Sequence, residues 1–340
     1  MSSKRPNHSK MSKEGRCRLA ESIFIKHPRF KAIIEKIEHA HCYSQIAAEP
    51  ECLFIGGPPG AGKTTLLNHY RLGFPSADRG EMIEVPVLCG RVPSKATDKN
   101  LATTLLMALG DPAAEKGTAF NQTTRLKRFI EQCGVQLIIL DEFQHFVDKD
   151  SWKVLKSVSD WLKNFIDETG IPVVLIGMPY AVEILDAPGN EQLQRRFAVR
   201  ATLDSFGWDI DEERKEFRSF LKAADDRLPL NECSNLADPL IAFRFYCATN
   251  GRVGKIMKVL RKAVELALDQ GLERLTLEVL ADAYDERLRA DQPDRSNPFR
   301  IEKSWLKAVP FDESEMSFAT VSRRSRRRAR ENRASDVLSK

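Results

Sequence analysis

Nowhere does the chain approach the ~20 consecutive apolar residues that a membrane span requires, and no apolar segment follows the basic opening Met1-Ser-Ser-Lys4-Arg5. Neither a spanning helix nor a secretory leader is expected, which points to the cytoplasm. Cysteine is present without a pairing pattern: the seven residues, at 17, 42, 52, 89, 133, 233 and 247, are odd in number, scattered, and lack a Cys-x-x-Cys pair. That spacing argues against a disulfide framework and a zinc site, and it suits a reducing compartment. An even spread of charge is missing too. Residues 1–18 hold six Lys and Arg against Glu14, and residues 322–333 hold seven Arg against Glu331, so the body between them carries −6 within a chain of net +5. Cationic ends on an acidic body are the usual footprint of nucleic acid or of an acidic partner protein.

What is present in full is a phosphate-binding turn. The apolar run Leu53-Phe54-Ile55 empties into Gly57-Pro58-Pro59-Gly60-Ala61-Gly62-Lys63-Thr64, and Thr65-Leu66-Leu67 begins a helical pattern behind it. Strand, glycine-rich turn and helix in that order aim several backbone N–H groups and the positive end of a helix dipole at one small volume. A polyphosphate suits that volume. Lys63 is spaced to reach the β- and γ-phosphates and the Thr64 hydroxyl to ligate Mg²⁺, with Thr65 beside it. A second acidic element ends the apolar run Leu137–Leu140: Asp141, placed to hold the Mg²⁺ shell, and Glu142, placed to orient and deprotonate the attacking water. No Asn-Lys-x-Asp guanine-reading sequence occurs, so ATP is expected rather than GTP.

Periodicity gives the architecture. Residues 1–17 are polar and basic with almost nothing to bury, and are expected to be disordered. Across 18–50, Leu19, Ile23, Phe24, Phe30, Ile33, Ile34 and Ile37 recur at helical spacing, and His27-Pro28 divides them into two short helices. Within 51–206, buried strands alternate with helices: Leu53–Ile55, Met82–Leu88 with Pro86 hinting at a sheet edge, Val135–Leu140, Ile171–Ile176 and Val199–Leu203. Such alternation predicts an α/β fold with a parallel sheet and right-handed crossovers. From 207 to 290 only helical periodicity remains, which predicts a small all-helical domain. Residues 291–340 read as an extended basic tail, with the isolated anchors Phe299, Trp305 and Phe311 ahead of Arg323–Arg333, that docks on DNA or on a protein.

Phosphate loop, Asp-Glu strand, a further strand, an Arg-Arg-Phe box and a helical region follow one another as in an AAA+ ATPase, and this resemblance covers roughly residues 20–290. It implies a P-loop core followed by a helical lid, and an arginine finger that enters the neighbouring subunit's site, matched here by Arg195 and Arg196. In that family a sensor arginine opens a lid helix. Its usual place in Asn250-Gly-Arg-Val-Gly-Lys255 falls on Gly254, which leaves Arg252 as the candidate. The sensor on the strand after Asp-Glu is usually Asn, Thr or Ser; here the strand ends Ile176-Gly177-Met178 and no sensor is assigned.

More specific wording lies in His27-Pro-Arg-Phe30, Leu140-Asp-Glu-Phe-Gln144-His145-Phe, Val174-Leu-Ile-Gly177-Met-Pro, Leu193-Gln-Arg-Arg-Phe197 and Thr249-Asn-Gly-Arg-Val-Gly-Lys. Together these segments resemble the TnsC/TniB family of transposition regulators. The resemblance implies a bacterial, ATP-dependent homo-oligomer, a ring or filament with a hexamer or heptamer per turn, on double-stranded DNA. It would connect a target-selector protein to a transposase, including in CRISPR-associated transposons, and hydrolysis would drive disassembly. A filament on DNA needs sequence-blind cations and hydroxyls against phosphates, for which Arg91, Lys95, Thr97 and Lys99 are the first candidates and Lys149 and Lys153 the second. Two alternatives stay open: a helicase-loader or initiator-type ATPase, and an ATP-dependent signalling switch that binds no DNA.

Overall fold

A computed structural model describes residues 5–80, 82–94, 97–146, 152–187, 189–291 and 296–306. They form two compact units, one from Pro28–Leu203 and one from the residues before Pro28 together with those from Asp204 onward. Helix α1 (Lys13–Ser22) belongs to the second. The first unit runs α2 (Pro28–Tyr43), β1 (Leu53–Gly56), α3 (Lys63–Leu72), a hairpin of β2 (Ala77–Asp78) and β3 (Ile83–Glu84), β4 (Val87–Arg91), α4 (Asp98–Ala108), α5 (Ala119–Gln132), β5 (Leu137–Asp141), α6 (Trp152–Thr169), β6 (Val173–Gly177), α7 (Glu191–Arg196) and β7 (Val199–Thr202). Two 3₁₀ turns, Phe143–Phe146 and Pro179–Ile184, follow β5 and β6.

Five strands pair in parallel in the order β4-β5-β6-β1-β7, so every carboxyl end lies along one edge of the sheet. The apolar runs in β1, β5 and β6 are continuous because both faces are covered, and all their residues are buried. Phe54, Ile138, Leu140, Val173 and Leu175 join Leu105 and Leu106 of α4, Leu126 and Ile130 of α5, and Leu162 and Phe165 of α6 in one core. Each such side chain contributes roughly 1.5–3 kcal/mol by leaving water. The expected strand Met82–Leu88 breaks at Pro86: a short hairpin strand ends before it and the edge strand β4 starts after it. Proline has no N–H for the ladder, and here only its carbonyl is used, by Gln136 N and Leu137 N.

In the helical unit, α1 packs with α8 (Asp211–Asp225), α9 (Pro239–Thr249), α10 (Val253–Asp269) and α11 (Leu277–Arg287). Ile256, Leu260, Ala263, Val264 and Ala267 form the buried stripe of α10, facing Phe217, Phe220, Phe245 and Tyr284. The Asp238 carboxylate accepts from Leu240 N and Ile241 N, which caps α9 ahead of Pro239.

Two expectations are corrected here. The stretch 1–17, expected to be disordered, is held to the helical unit from Arg5 on: Arg5 Nη2 donates to Asp225 Oδ1 at 2.8 Å, and His8 N to Asn231 Oδ1 at 2.8 Å. Arg16, only 6% exposed, donates to both Glu273 oxygens (3.0 and 2.6 Å) and to the Pro229 carbonyl. Basic residues with nothing local to bury find carboxylates more than 200 positions away. The two helices divided at Pro28 consequently belong to different units. At the other end Phe299 is no external anchor, since it is 2% exposed, packed edge-on to Phe245, and its neighbour Asn297 donates to the Ala281 carbonyl. Phe311 and Arg323–Arg333 lie outside the described residues, as does the side chain of Trp305. Among the described residues no helix is long and apolar enough to cross a membrane.

Candidate active site

The carboxyl edge of the sheet gathers the reactive residues. After β1 the chain turns through Gly60 (φ 76°) and Gly62 (φ 104°), left-handed conformations that glycine adopts without strain. At Gly57 a Cβ would stand 2.9 Å from the Leu203 carbonyl oxygen, so the loop backbone is bare where it passes β7. Gly62 is the N-cap of α3 and supplies no side-chain cap, which leaves the first-turn N–H groups of that helix for a ligand. Lys63 folds back along this loop, donating from Nζ to the carbonyls of Gly57 (2.6 Å) and Pro58 (3.1 Å). Burial pushes its ammonium below the usual lysine range, against the pull of Asp141 and Glu142. A cation held by carbonyls beside bare backbone fits a polyphosphate.

Register brings the acidic pair to this loop. Asp141 ends β5 opposite Arg91 at the end of β4. Its Oδ2 accepts from the Thr64 hydroxyl at 3.2 Å, and its Oδ1 from Glu142 N at 2.8 Å. Hydroxyl and carboxylate at that distance make a fitting pair of hard-oxygen ligands for Mg²⁺. Glu142 adopts φ 61°, rare for a side chain without glycine's freedom, which turns it out of the strand direction. One of its oxygens pairs with Arg91 Nη2 at 3.3 Å; the other accepts from Gln144 Nε2.

The arginine box sits at the opposite edge. Arg196 ends α7, and its carbonyl accepts from Cys52 N, the residue before β1. The Arg196 guanidinium is 16% exposed and bound within the unit, to Asp167 and, at 3.9 Å, to Glu49. Arg195 is exposed. Both border a cleft of about 340 Å³ between the start of β7 and Glu49 and Glu51. Of the two candidates, Arg196 is held within its own unit and Arg195 is open to solvent. Arg252 is the N-cap of α10, in the helical unit.

The candidate DNA contacts divide. Arg91 is committed to Glu142 and so belongs to the nucleotide site as well as to the surface. The Thr97 hydroxyl caps α4 by accepting from Asn100 N at 3.1 Å, and Lys99 is exposed in the next turn. Lys95 and Lys149 lie outside the described residues, as does the side chain of Lys153. The residue that sequence reasoning left without a role is Gln144, quoted only as part of the Asp-Glu-x-Gln-His wording. Its cross-strand partners have no local signature.

A five-stranded parallel sheet with a phosphate loop after β1 and an Asp-Glu pair after β5, joined to a helical unit, defines an AAA+ P-loop ATPase. The model of the family described as bacterial TniB protein matches residues 17–206, over half of the chain, and the chain belongs to that family. Among curated proteins no relative matches. Solved structures similar to it include Cdc6p from Pyrobaculum aerophilum (14% identity, TM-score 0.60, covering 87% of this chain and 75% of that one). The ORC1 protein of Aeropyrum pernix in complex with DNA is similar at 16% identity and TM-score 0.58, over 80% of this chain and 69% of that one. So is ORC2 from the same organism in its ADPNP-ADP complexes, at 16% and 0.56, over 82% and 74%. At such identities the likeness is one of fold.

Proposed function

We propose that the chain is an ATP-dependent regulator of DNA transposition. ATP binding assembles it as a ring or filament on double-stranded DNA in the bacterial cytoplasm, the assembly connects a target selector to the transposase, and hydrolysis takes it apart. The observation that carries this reading is the division of the site, in a chain of the TniB family, between Lys63, Thr64, Asp141 and Glu142 at one edge of the sheet and the exposed Arg195 at the other. A site so divided makes hydrolysis depend on a neighbour, which couples nucleotide state to the interface.

On this reading the loop of Gly57–Gly62 and the amino end of α3 cradle the phosphates, and Lys63 exchanges its carbonyl partners for phosphate oxygens. Thr64 and Asp141 would hold Mg²⁺, which would supply charge neutralisation to the polyphosphate. Glu142 orients water and takes its proton, and the next subunit's Arg195 stabilises the transferring group. The helical unit serves as lid, with Arg252 sensing nucleotide. Lys99 and Arg91 contact the duplex backbone. That the similar ORC1 was solved on DNA supports a DNA partner.

Likeness to ORC and Cdc6 folds favours a second reading, an initiator or helicase loader. Negative-stain imaging with linear duplex DNA, in ATP, a non-hydrolysable analogue and ADP at low and moderate salt, tests the first. Rings or filaments with the analogue and none with ADP are expected. Subunits indifferent to DNA in every nucleotide state would overturn it and leave a switch without DNA binding.

A further inference from the structure

Gln144 stands between the ends of two neighbouring strands, and none of the roles above uses it. It lies on the 3₁₀ turn after β5 and is 7% exposed. Its Nε2 donates to Glu142 Oε2, while its Oε1 accepts from Met178 N, just past the end of β6, at 3.1 Å. The residue that ends β6 is Gly177. A Cβ there would stand 3.0 Å from Gln144 Oε1, 3.3 Å from Gln144 N and 3.3 Å from Phe143 Cβ, so a side chain would press on that turn. Met178 in turn places its sulfur 4.0 Å from Lys63 Nζ. The other partner of Glu142, the Arg91 guanidinium, is 74% exposed and screened by water, which leaves the buried amide as the firmer hold.

We propose that Gln144 is a positioning residue for hydrolysis: it ties the Glu142 carboxylate to the end of β6, beside Lys63, and does so from the adjacent turn where Gly177 offers no polar side chain. The inference rests on Glu142 as the group that takes the water's proton. With Oε2 occupied by a buried N–H donor the carboxylate keeps one orientation, and Oε1, whose partner is the exposed Arg91 guanidinium at 3.3 Å, is the oxygen presented to water. The strand end and the acidic turn therefore move together, and a change at either shifts the carboxylate.

The test is steady-state ATPase kinetics of the full chain with duplex DNA, alongside binding of a fluorescent non-hydrolysable ATP analogue. Gln144→Ala is expected to lower kcat by about ten- to a hundredfold, with KM and analogue affinity within about twofold. Gln144→Glu keeps the acceptor for Met178 N but removes the N–H that Glu142 Oε2 accepts, so kcat should fall as in Gln144→Ala with analogue affinity again unchanged. Gly177→Ala should lower kcat alone and add less than its own effect to Gln144→Ala, because the tightest of its Cβ contacts, with Gln144 Oε1, is then gone. Wild-type kcat in Gln144→Ala or in Gln144→Glu, or a loss shared equally with analogue affinity, would overturn the proposal. Glu142→Gln separates the two readings. If it turns over like wild type, the role of Glu142 itself fails; if it is inert while Gln144→Ala turns over like wild type, only the positioning role fails.

Discussion

Replacing Arg195 by Ala should silence hydrolysis while leaving the variant's own phosphate loop intact. Arg195 precedes Arg196, whose carbonyl meets the residue before β1, so the side chain starts from the amino edge of the sheet. A four-residue strand at ~3.3 Å per residue puts the phosphate loop roughly 13 Å away at the other edge. From there an arginine serves a neighbour's phosphates, not its own. A finger supplied in trans is worth about 10³ or more in kcat, or roughly 4 kcal/mol at 1.36 kcal/mol per tenfold. The assay is phosphate release on duplex DNA by Arg195→Ala, by Glu142→Gln, and by their equal mixture. Each alone should be inert. In random head-to-tail mixing about one junction in four sets an intact Glu142 against an intact Arg195, so the mixture should regain about a quarter of wild-type activity. A mixture that co-assembles and stays silent would refute the geometry, as would wild-type turnover by Arg195→Ala. Arg196→Ala is the contrast. It strands Asp167 and Glu49 and should cost about 1–2 kcal/mol after allowing for solvent around Asp167, read as a lower melting temperature.

Three further outcomes follow from particular contacts. Arg91→Ala frees one oxygen of Glu142 and removes a candidate DNA contact, so basal ATPase should rise about two- to fivefold while its stimulation by duplex DNA falls; an unchanged ratio of stimulated to basal rate counts against a shared role. At Gly251 (φ 66°) a Cβ would lie 2.0 Å from the Phe206 carbonyl oxygen, so Gly251→Ala must displace backbone and should cost about 3 kcal/mol or more in urea unfolding. Gly271→Ala, at φ 68° with nothing within 4 Å, should cost only about 1 kcal/mol; equal losses would refute the steric account. Arg16 holds the Glu273 carboxyl below the usual carboxylate range, aided by Asn231 N. Because the folded-state pKa is depressed, this contribution is whole above the unfolded value of about 4.3 and is lost as pH falls through the folded one. The urea midpoint should therefore drop more steeply on acidification in wild type than in Glu273→Gln.

Much of the site was legible because its parts are local. The phosphate loop needs only strand, glycines and helix in sequence, and the Asp-Glu pair only an apolar run before it. What local pattern could not carry was pairing across the chain. Arg5 and Arg16 read as part of a disordered basic end because Asp225 and Glu273 lie far beyond any window. Phe299 read as an anchor for a partner because its receptor, Phe245 and Tyr284, is set by helix packing. Arg91 read only as a candidate DNA contact because only the β4–β5 register puts it across from Asp141. Gln144 had no visible role because nothing local shows that its turn packs against the end of β6.

The sheet's polarity joins these pieces. Parallel strands send β1, β5 and β6 out at one edge, so Lys63, Glu142 and Gln144 converge there, while α7, which feeds β7 from the other edge, leaves Arg195 behind. On the proposed reading each subunit carries two half-sites that face opposite ways. An isologous pair sets one patch against its own copy, phosphate loop to phosphate loop or arginine to arginine, and completes no site. Head-to-tail association completes one site at every junction and leaves a free half at each end, which closes only as a ring or continues as a filament. An ATPase whose site is divided in this manner hydrolyses where subunits meet, so the loss of nucleotide and the loss of the interface become one event.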